Sequence, residues 1–172
     1  ENQTEFNEGN LSISYTQTDV KHGSYALSVD GGGNYRRKTI NQNSDRNRAF
    51  ETWIMLKSSS VTSLAGIMIA AQTTESYGYQ AILDQRNGSV DSTRPEQLRK
   101  NYGAAPFAVG DQNVAVDTWY FMRVIWLDDG TIKMELYDEN GNLLKSISGT
   151  DSTYTNGHYG VCAYQNAVFD VY

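Results

Sequence analysis

Alternation of apolar and polar residues constrains this chain more than any other feature of its sequence. Residues 132–137 read IKMELY, in which apolar and polar residues alternate up to Leu136. They follow the turn sequence Asp-Asp-Gly at 128–130 and the segment WYFMRVIWL at 119–127, where Tyr120, Met122, Val124 and Trp126 share one face and Arg123 lies on the other. A period of two is typical of strands that bury one face, and a short turn with Gly between two such strands predicts a β-hairpin. We therefore predict antiparallel β-structure.

Similar segments recur along the whole chain, separated by turn residues roughly every 8–12 positions, as in β-sandwiches and barrels. No segment has a convincing helical period. We predict one domain over residues 1–172, an all-β antiparallel β-sandwich of the jelly-roll type. Residues 92–110, which hold both prolines, lack the alternation, and we expect long loops there. The further predicted strands are 25–29, 49–57, 65–71, 79–84, 143–147, 160–164 and 167–171.

Charge and composition exclude several classes of protein. The formal net charge is -6, whereas binding to nucleic-acid backbones needs clustered Lys and Arg. The single cysteine, Cys162, cannot form an internal disulfide, and the sequence has no Cys/His cluster for zinc. No apolar run reaches the roughly 18 residues of a transmembrane helix. We expect no nucleic-acid partner and no membrane insertion.

Three segments resemble the laminin-G and concanavalin-A-like jelly-roll superfamily. They are FNEGN with VKHGSYALSV near the start, AGIMIAAQTTESYGYQAILDQRNGSV in the middle, and DTWYFMRVIWLDDGTIKMELYDENGNLLKSI followed by DSTYTNGHYGVCAYQNAVFD at the end. More narrowly, the chain is similar to non-catalytic carbohydrate-binding modules of bacterial glycoside hydrolases, among them the family 66 fructan-binding modules. Its opening is also similar to the starts of families 4 and 22. The resemblance implies a secreted, extracellular module of a larger multidomain chain.

The resemblance also implies a structural calcium ion (Ca²⁺) that brings the first and last strands side by side. Its ligands would be acids near the N-terminus, backbone carbonyls of the loop before the second strand, and an Asp on the last strand. Calcium takes six to eight oxygen ligands, and an unpaired carboxylate among apolar residues would be costly. The alternative is that the last Asp simply points to solvent. The matching residues are Glu5, Asn7 or Glu8, the loop from Lys21 to Ser24, and Asp170.

The titratable residues do not form a recognisable catalytic motif. Glycoside hydrolysis needs two neighbouring carboxyl groups, whereas Glu51, Asp84 and Glu135 are isolated in the sequence. His22 and His158 both fall in predicted turns, and no Gly-x-Ser-x-Gly motif is present. We therefore expect no catalytic residues and no enzymatic activity. A polysaccharide hydrolase or lyase stays an alternative, since acids from separate strands could meet in the fold.

Sugar binding needs aromatic rings that stack on C–H groups and planar polar groups that bond to neighbouring hydroxyls. The segment richest in both is YGYQAILDQR, residues 77–86. If Ile82 points inward, Gln80 and Asp84 share its face, while Tyr79 lies on the other. From this segment we predict the ligand-binding residues Tyr77, Tyr79, Gln80, Asp84 and Arg86.

Four further candidates come from other parts of the chain. Glu51 and Trp53 lie opposite the predicted core face of their strand, and Arg123 does so on another strand. Tyr102 belongs to the irregular segment, whose basic residues could form a rim. Trp53 could instead pack beneath a loop, since Trp is usually well buried. We interpret the basic run at 36–38 as a charged edge strand that discourages aggregation.

These observations predict a non-catalytic carbohydrate-binding module that tethers a secreted enzyme or surface protein to a polysaccharide or oligosaccharide, with a structural calcium ion. One alternative is an adhesion or structural module of a surface or fibre protein. The other is the polysaccharide hydrolase or lyase considered above.

Overall fold

The structure is a computed structural model, and it describes residues 6–8, 10–32, 36–57, 64–73, 77–85 and 95–170. In these ranges the chain forms β-strands joined by turns and loops, and no helix. The strands, numbered in chain order, are β1 (Phe6–Glu8), β2 (Ser12–Thr16), β3 (Ala26–Asp30), β4 (Arg36–Asn43), β5 (Arg48–Leu56), β6 (Leu64–Ala71), β7 (Tyr79–Asp84), β8 (Glu96–Lys100), β9 (Pro106–Val109), β10 (Trp119–Trp126), β11 (Thr131–Tyr137), β12 (Leu143–Thr150), β13 (His158–Ala163) and β14 (Ala167–Asp170).

The strands form two seven-stranded sheets. Sheet A has the spatial order β1-β4-β13-β6-β7-β8-β9, and sheet B has the order β12-β11-β10-β5-β14-β3-β2. All neighbouring strands are antiparallel. The predicted all-β antiparallel sandwich is confirmed.

Both sheets contribute alternate side chains to one apolar core. In β10 the positions from Tyr120 to Trp126 alternate between buried and half-buried, as the sequence pattern predicts. Trp126 and Phe169 of sheet B are almost fully buried, as are Tyr79 and Leu83 of sheet A. Each such side chain contributes on the order of 1.5–3 kcal/mol to folding through burial. We call the other face of each sheet its outer face.

The prediction of long loops over residues 92–110 is wrong for the described part of that segment. Residues 96–100 and 106–109 form β8 and β9, at the edge of sheet A. The alternation is hidden because the outer face of β8 carries Gln97 and Arg99, which are polar and yet buried. A buried polar face cannot be distinguished from a loop by hydrophobic periodicity.

The basic run at 36–38 does not form an edge strand. It belongs to β4, which pairs with β1 on one side and with β13 on the other. Arg37 is only 3% exposed. Its side chain therefore cannot act as the predicted solvent-facing charge.

The first and last strands are not neighbours, contrary to the expectation. β1 is the edge strand of sheet A, whereas β14 lies inside sheet B between β3 and β5. The C-terminal strand is thus held on both sides by hydrogen bonds within its own sheet.

Candidate ligand-binding surface

Three aromatic side chains form a row across the outer face of sheet B. Phe121 of β10 is directly opposite Trp53 of β5 and Tyr137 of β11 in the strand register. The ring centroids of Trp53 and Phe121 are 5.5 Å apart, and those of Phe121 and Tyr137 are 6.0 Å apart. All three are partly exposed, because their neighbours along each strand face the core. We call Trp53, Phe121 and Tyr137 the aromatic row.

A row of charged side chains runs beside the aromatic row, two residues along each strand. Arg123 is opposite Glu51 on one side and Glu135 on the other. Its Nε lies 2.9 Å from Glu51 Oε1, and its Nη1 lies 3.9 Å from Glu135 Oε2. Glu135 Oε1 is also 2.6 Å from the Lys133 Nζ. We call Glu51, Arg123 and Glu135 the charged row.

Tyr137 and Glu135 connect the two rows. The Tyr137 hydroxyl donates a hydrogen bond of 2.9 Å to Glu135 Oε2. Burial alone would raise the pKa of Glu135, but hydrogen bonds from Lys133 and Tyr137 hold that pKa below its usual value. The same bond to the carboxylate raises the pKa of the Tyr137 hydroxyl. At neutral pH this part of the surface therefore presents a carboxylate beside a phenol.

The two rows border a shallow depression of about 270 Å³. This volume is below the roughly 300–1,000 Å³ of pockets that enclose a small molecule. An open surface with aromatic and charged side chains suits an extended ligand that lies across the sheet. The depression is lined by Glu51, Trp53, Phe121, Arg123, Tyr137, Asp138 and Gly141.

The loop between β2 and β3 covers one end of the aromatic row. Lys21 Nζ lies 4.4 Å from the centroid of the Trp53 ring, and the His22 ring centroid is 5.8 Å from it. Lys21 also forms an ion pair with Glu139. Trp53 is thus partly covered by a loop and also lines the depression. Its role as a stacking platform for a sugar stays a prediction.

The sequence-predicted residues of β7 do not join this surface. The prediction that Tyr79 binds a ligand is wrong, because its side chain is 1% exposed and faces the core. Its hydroxyl donates to Asp151 Oδ1 at 2.7 Å and accepts the N–H of Tyr154 at 3.0 Å. A ring enclosed between the two sheets cannot stack on a polysaccharide.

Gln80 and Asp84 lie on the outer face of sheet A, together with Gln97 and Arg99 of β8. Gln80 is 0% exposed and Asp84 is 1% exposed, so these two residues do not line the open groove that was expected. Gln97 Nε2 donates to Asp84 Oδ2 at 3.3 Å, and Arg99 Nε donates to Gln97 Oε1. These residues are therefore separated from Trp53 by the whole thickness of the sandwich.

The remaining predicted residues lie near or beyond the end of sheet A. Tyr77 precedes β7 and is 46% exposed, and Tyr102 lies in the turn between β8 and β9. These two connections meet where the Asn101 N–H donates to the Gly78 carbonyl at 2.9 Å. Arg86 lies outside the described residues.

Sequence reasoning missed Phe121 and Tyr137, and it treated Glu135 as isolated. The signal was present in the hairpin between β10 and β11. Once Asp128 to Gly130 are taken as its turn, the register places Phe121 opposite Tyr137 and Arg123 opposite Glu135. The pairing of β5 with β10 could not be found in this way, because these strands are distant in sequence.

The predicted calcium ligands are only partly brought together. The Asp170 side chain is 0% exposed, and its Oδ1 accepts the His22 N–H at 3.2 Å while its Oδ2 lies 2.6 Å from His22 Nδ1. The loop from Lys21 to Ser24 thus does reach Asp170, but through nitrogen atoms rather than the oxygens that calcium prefers. Asn7 and Glu8 belong to β1 in the other sheet, and Glu5 lies outside the described residues.

In the part of the chain that the structure describes, no three His, Cys, Asp or Glu residues are close enough to hold a metal ion. Asp170 is the one predicted carboxylate ligand whose side chain is described there. These residues therefore do not form a calcium site by themselves. The same described ranges contain no helix with the length and apolar character needed to cross a lipid bilayer.

Comparison with known proteins gives a fold and no sequence family. No protein-family model matches the sequence, and a search of curated protein sequences found no match. The carbohydrate-binding module CBM66 from Bacillus subtilis is similar in structure, with a TM-score of 0.72 and 15% identity over 96% of this chain and 93% of that one. A Bacillus subtilis protein of unknown function with a galectin-like fold has a TM-score of 0.66 and 16% identity over 95% and 86% of the two chains.

Two sugar-bound structures are also similar to this chain. The winged bean acidic lectin, complexed with methyl-α-D-galactose, has a TM-score of 0.60 and 10% identity over 98% of this chain and 93% of that one. The lumenal domain of VIP36, in a form bound to Ca²⁺ and Man3GlcNAc, has a TM-score of 0.61 and 12% identity over 94% and 80%. The chain therefore has the jelly-roll sandwich fold of lectins and carbohydrate-binding modules.

Proposed function

We propose that this chain is a non-catalytic module that binds a polysaccharide on the outer face of sheet B. The observation that carries the proposal is the aromatic row in strand register beside the charged row. Aromatic faces stack on the C–H patches of sugar rings, and carboxylate and guanidinium groups form strong hydrogen bonds to hydroxyls. Placed side by side on one open surface, the two rows supply both kinds of contact.

The charges favour a neutral polysaccharide over an acidic one. Arg123, the one guanidinium among the described residues that line the depression, already lies between Glu51 and Glu135. Asp138 adds a further carboxylate to the lining. Lys133 and Lys21 lie beside these rows but are already paired with Glu135 and Glu139. A uronic acid or sulfate group would approach Glu51 and Asp138 closely and be repelled. Hydroxyl groups, in contrast, can donate to the carboxylates and accept from the guanidinium.

The ion pairs are also suited to exchange with a ligand. The side chains of Arg123 and Glu51 are 41% and 42% exposed. Exposed ion pairs contribute about 0–1 kcal/mol to stability, so ligand hydroxyls can replace part of each contact at little cost. Binding of this kind gives micromolar to millimolar affinity at a single site, or roughly -4 to -8 kcal/mol.

The structural comparisons support the proposal at the level of the fold. CBM66 is by name a carbohydrate-binding module, and the winged bean and VIP36 structures contain sugars. On the same basis we propose that the chain belongs to a larger secreted protein, such as a glycoside hydrolase, which it tethers to its substrate. The absence of catalysis is part of this proposal.

Retention on immobilised polysaccharides tests the proposed function. The panel contains neutral fructan, starch, xylan and galactan, with pectin and alginate as acidic counterparts. Phe121→Ala removes the centre of the aromatic row, and we expect it to weaken binding at least about tenfold, since one stacking contact is worth about 1.4 kcal/mol.

The matched control is Ile125→Ala, on the outer face of the same strand but opposite Ala49 and Lys133 rather than the aromatic row. We expect its affinity to equal that of the wild type. Retention on none of the neutral polysaccharides, or equal retention of both variants and the wild type, would refute the proposed function. Release of reducing ends or unsaturated products from any of them would show an enzyme instead.

We also propose that calcium binds at Asp170 and stabilises the chain. The support is the buried Asp170 carboxylate, the nearby loop from Lys21 to Ser24, and the calcium in the VIP36 structure. The remaining oxygen ligands would come from the carbonyls of that loop and from Glu5, as the resemblance implies. Because calcium would bind the folded state alone, its removal should lower the melting temperature.

Thermal unfolding with and without a chelator measures this effect. We expect the chelator to lower the melting temperature of the wild type and of Asp45→Asn, an exposed control, but not that of Asp170→Asn. If the chelator leaves the wild-type melting temperature unchanged, the calcium proposal is wrong.

A further inference from the structure

A salt bridge crosses one end of the aromatic row. Lys21, in the loop between β2 and β3, pairs with Glu139, in the turn between β11 and β12. The two residues are 118 positions apart in the sequence, and their side chains meet over the outer face of sheet B. We call this ion pair the strap.

The strap covers the Trp53 ring. Lys21 Nζ lies 4.4 Å from the centroid of that ring, which is a cation–π contact. Among the described residues that line the depression, Asp138 and Gly141 come from the same turn as Glu139, whereas neither member of the strap is included. The depression therefore stops at the strap, and the face of Trp53 beneath the ammonium is closed to a ligand.

Both ends of the strap stand on backbone that is held in place. The N–H of His22, which follows the lysine, donates to Asp170 Oδ1 at 3.2 Å. In the turn, the backbone N–H of Asn142 donates to Asp138 Oδ1 and its side-chain amide donates to Asp138 Oδ2, each at 2.8 Å. The two side chains of the strap can thus separate by rotating about their own bonds, without a rearrangement of the loop or the turn.

The exposure of the strap makes it easy to open. The Lys21 side chain is 18% exposed and that of Glu139 is 53% exposed. Ion pairs in contact with water contribute little to stability, and salt weakens them further. A sugar ring can therefore replace the ammonium over Trp53 at a small cost in binding free energy.

The strap does not affect the three aromatic rings equally. Phe121 is the centre of the row and Tyr137 is its far end, away from Lys21. A short ligand can stack on these two rings while the strap stays closed. A longer ligand that continues across the sheet meets the strap at Trp53, and it gains a third stacking contact only after the strap has opened.

We propose that the strap determines the chain length that the aromatic row prefers. It opposes the binding of longer oligosaccharides, which must open it to stack on Trp53, and it leaves the binding of disaccharides unchanged. This inference rests on the proposed function, and it assigns to Lys21 and Glu139 a role in the specificity of the same surface.

Affinities for a disaccharide and a hexasaccharide test the strap. Both ligands are prepared from the neutral polysaccharide that is retained best. Glu139→Gln removes the charge that anchors Lys21, and we expect it to bind the hexasaccharide about threefold more tightly than the wild type and the disaccharide equally. In about 1 M NaCl, which screens exposed ion pairs, the difference from the wild type should disappear.

A second variant and a matched control accompany this measurement. Lys21→Ala uncovers the Trp53 ring, so its gain in hexasaccharide affinity should be at least as large. The control Asp111→Asn breaks the 2.5 Å ion pair of Asp111 with Lys145, which is opposite the core residue Leu136 and so does not lie on the outer face of sheet B. It should bind both ligands as the wild type does.

Three results would overturn the strap and leave the proposed function standing. The first is equal hexasaccharide affinity in the wild type, Glu139→Gln and Lys21→Ala. The second is weaker binding in both variants, which would show that the ion pair holds Trp53 in its binding position. The third is an equal gain for the disaccharide, which would reflect charge rather than chain length.

Failure of the proposed function looks different. In that case no neutral polysaccharide is retained by the wild type or by either variant, and the role of the strap in chain-length preference is refuted together with the function.

Discussion

Single aromatic residues acquire different roles from their position in an alternating strand. Tyr79 and Phe121 are both aromatic strand residues, yet the first faces the core and the second faces outward. The sequence alone suggested Tyr79 as a ligand-binding residue because it is next to Gln80. Its hydroxyl instead bonds to Asp151, and burial is the largest cause that raises the pKa of this phenol. A residue's own chemistry therefore says less about its role than the face of the sheet on which it lies.

Glu96 is a residue whose burial should be visible in the pH dependence of stability. Burial raises the pKa of its carboxyl to about 7, against the Gln112 N–H that donates to Oε2 and lowers it. In the unfolded chain the carboxyl ionises near its usual value of about 4.3. Between these values the folded state holds a proton that the unfolded state has lost, so stability falls as pH rises.

We expect the free energy of unfolding to drop by on the order of 2–3 kcal/mol from pH 4.5 to pH 7.5 because of this one group. Glu96→Gln cannot ionise and should lose that part of the decrease, whereas Glu139→Gln, a more exposed control, should keep it. Urea unfolding at several pH values measures the difference. An identical pH slope in Glu96→Gln and the wild type would contradict the assignment.

At the scale of the element, sequence was informative wherever a strand buries one face and exposes the other. The alternation in β5, β10 and β11 predicted both the strands and the outward positions of Glu51, Trp53 and Arg123. It failed for β4 and β8, because buried polar residues such as Arg37 and Arg99 hide the apolar period. It also could not pair β5 with β10, which depends on the whole sheet rather than on a local turn.

The hairpin between β10 and β11 sets the register of both rows, and Gly130 controls its turn. Gly130 has φ +84°, and a Cβ there would lie 2.9 Å from the Asp151 carbonyl oxygen. Gly141, in the next hairpin, has φ +81° but open space around it. Both Gly→Ala changes add backbone strain, and only the first adds a steric clash.

We therefore expect Gly130→Ala to cost about 2–3 kcal/mol of stability and Gly141→Ala about 1 kcal/mol. Gly130→Ala should also weaken polysaccharide binding, because it disturbs the pairing of Phe121 with Tyr137. Equilibrium unfolding and retention assays measure the two effects. An equal loss of unfolding free energy in Gly130→Ala and Gly141→Ala would show that the clash with the Asp151 carbonyl does not destabilise the protein.

At the scale of the whole molecule, the sandwich has two outer faces of different character. Sheet B presents a partly exposed surface of aromatic and charged rows, and sheet A presents buried polar side chains around Gln80. The sequence predicted the sandwich, but its ligand-binding candidates came from both faces without distinction. Only the arrangement of the sheets shows that Trp53 and Gln80 lie on opposite sides of the core.

The central claim is that the aromatic row binds a neutral polysaccharide chain, and backbone NMR shifts test it most directly. A neutral oligosaccharide from the polysaccharide that is best retained would be titrated into labelled protein. The account predicts the largest shifts at residues 51–53, 121–123 and 135–138. Saturating shifts confined to other strands, or none at all, would contradict it.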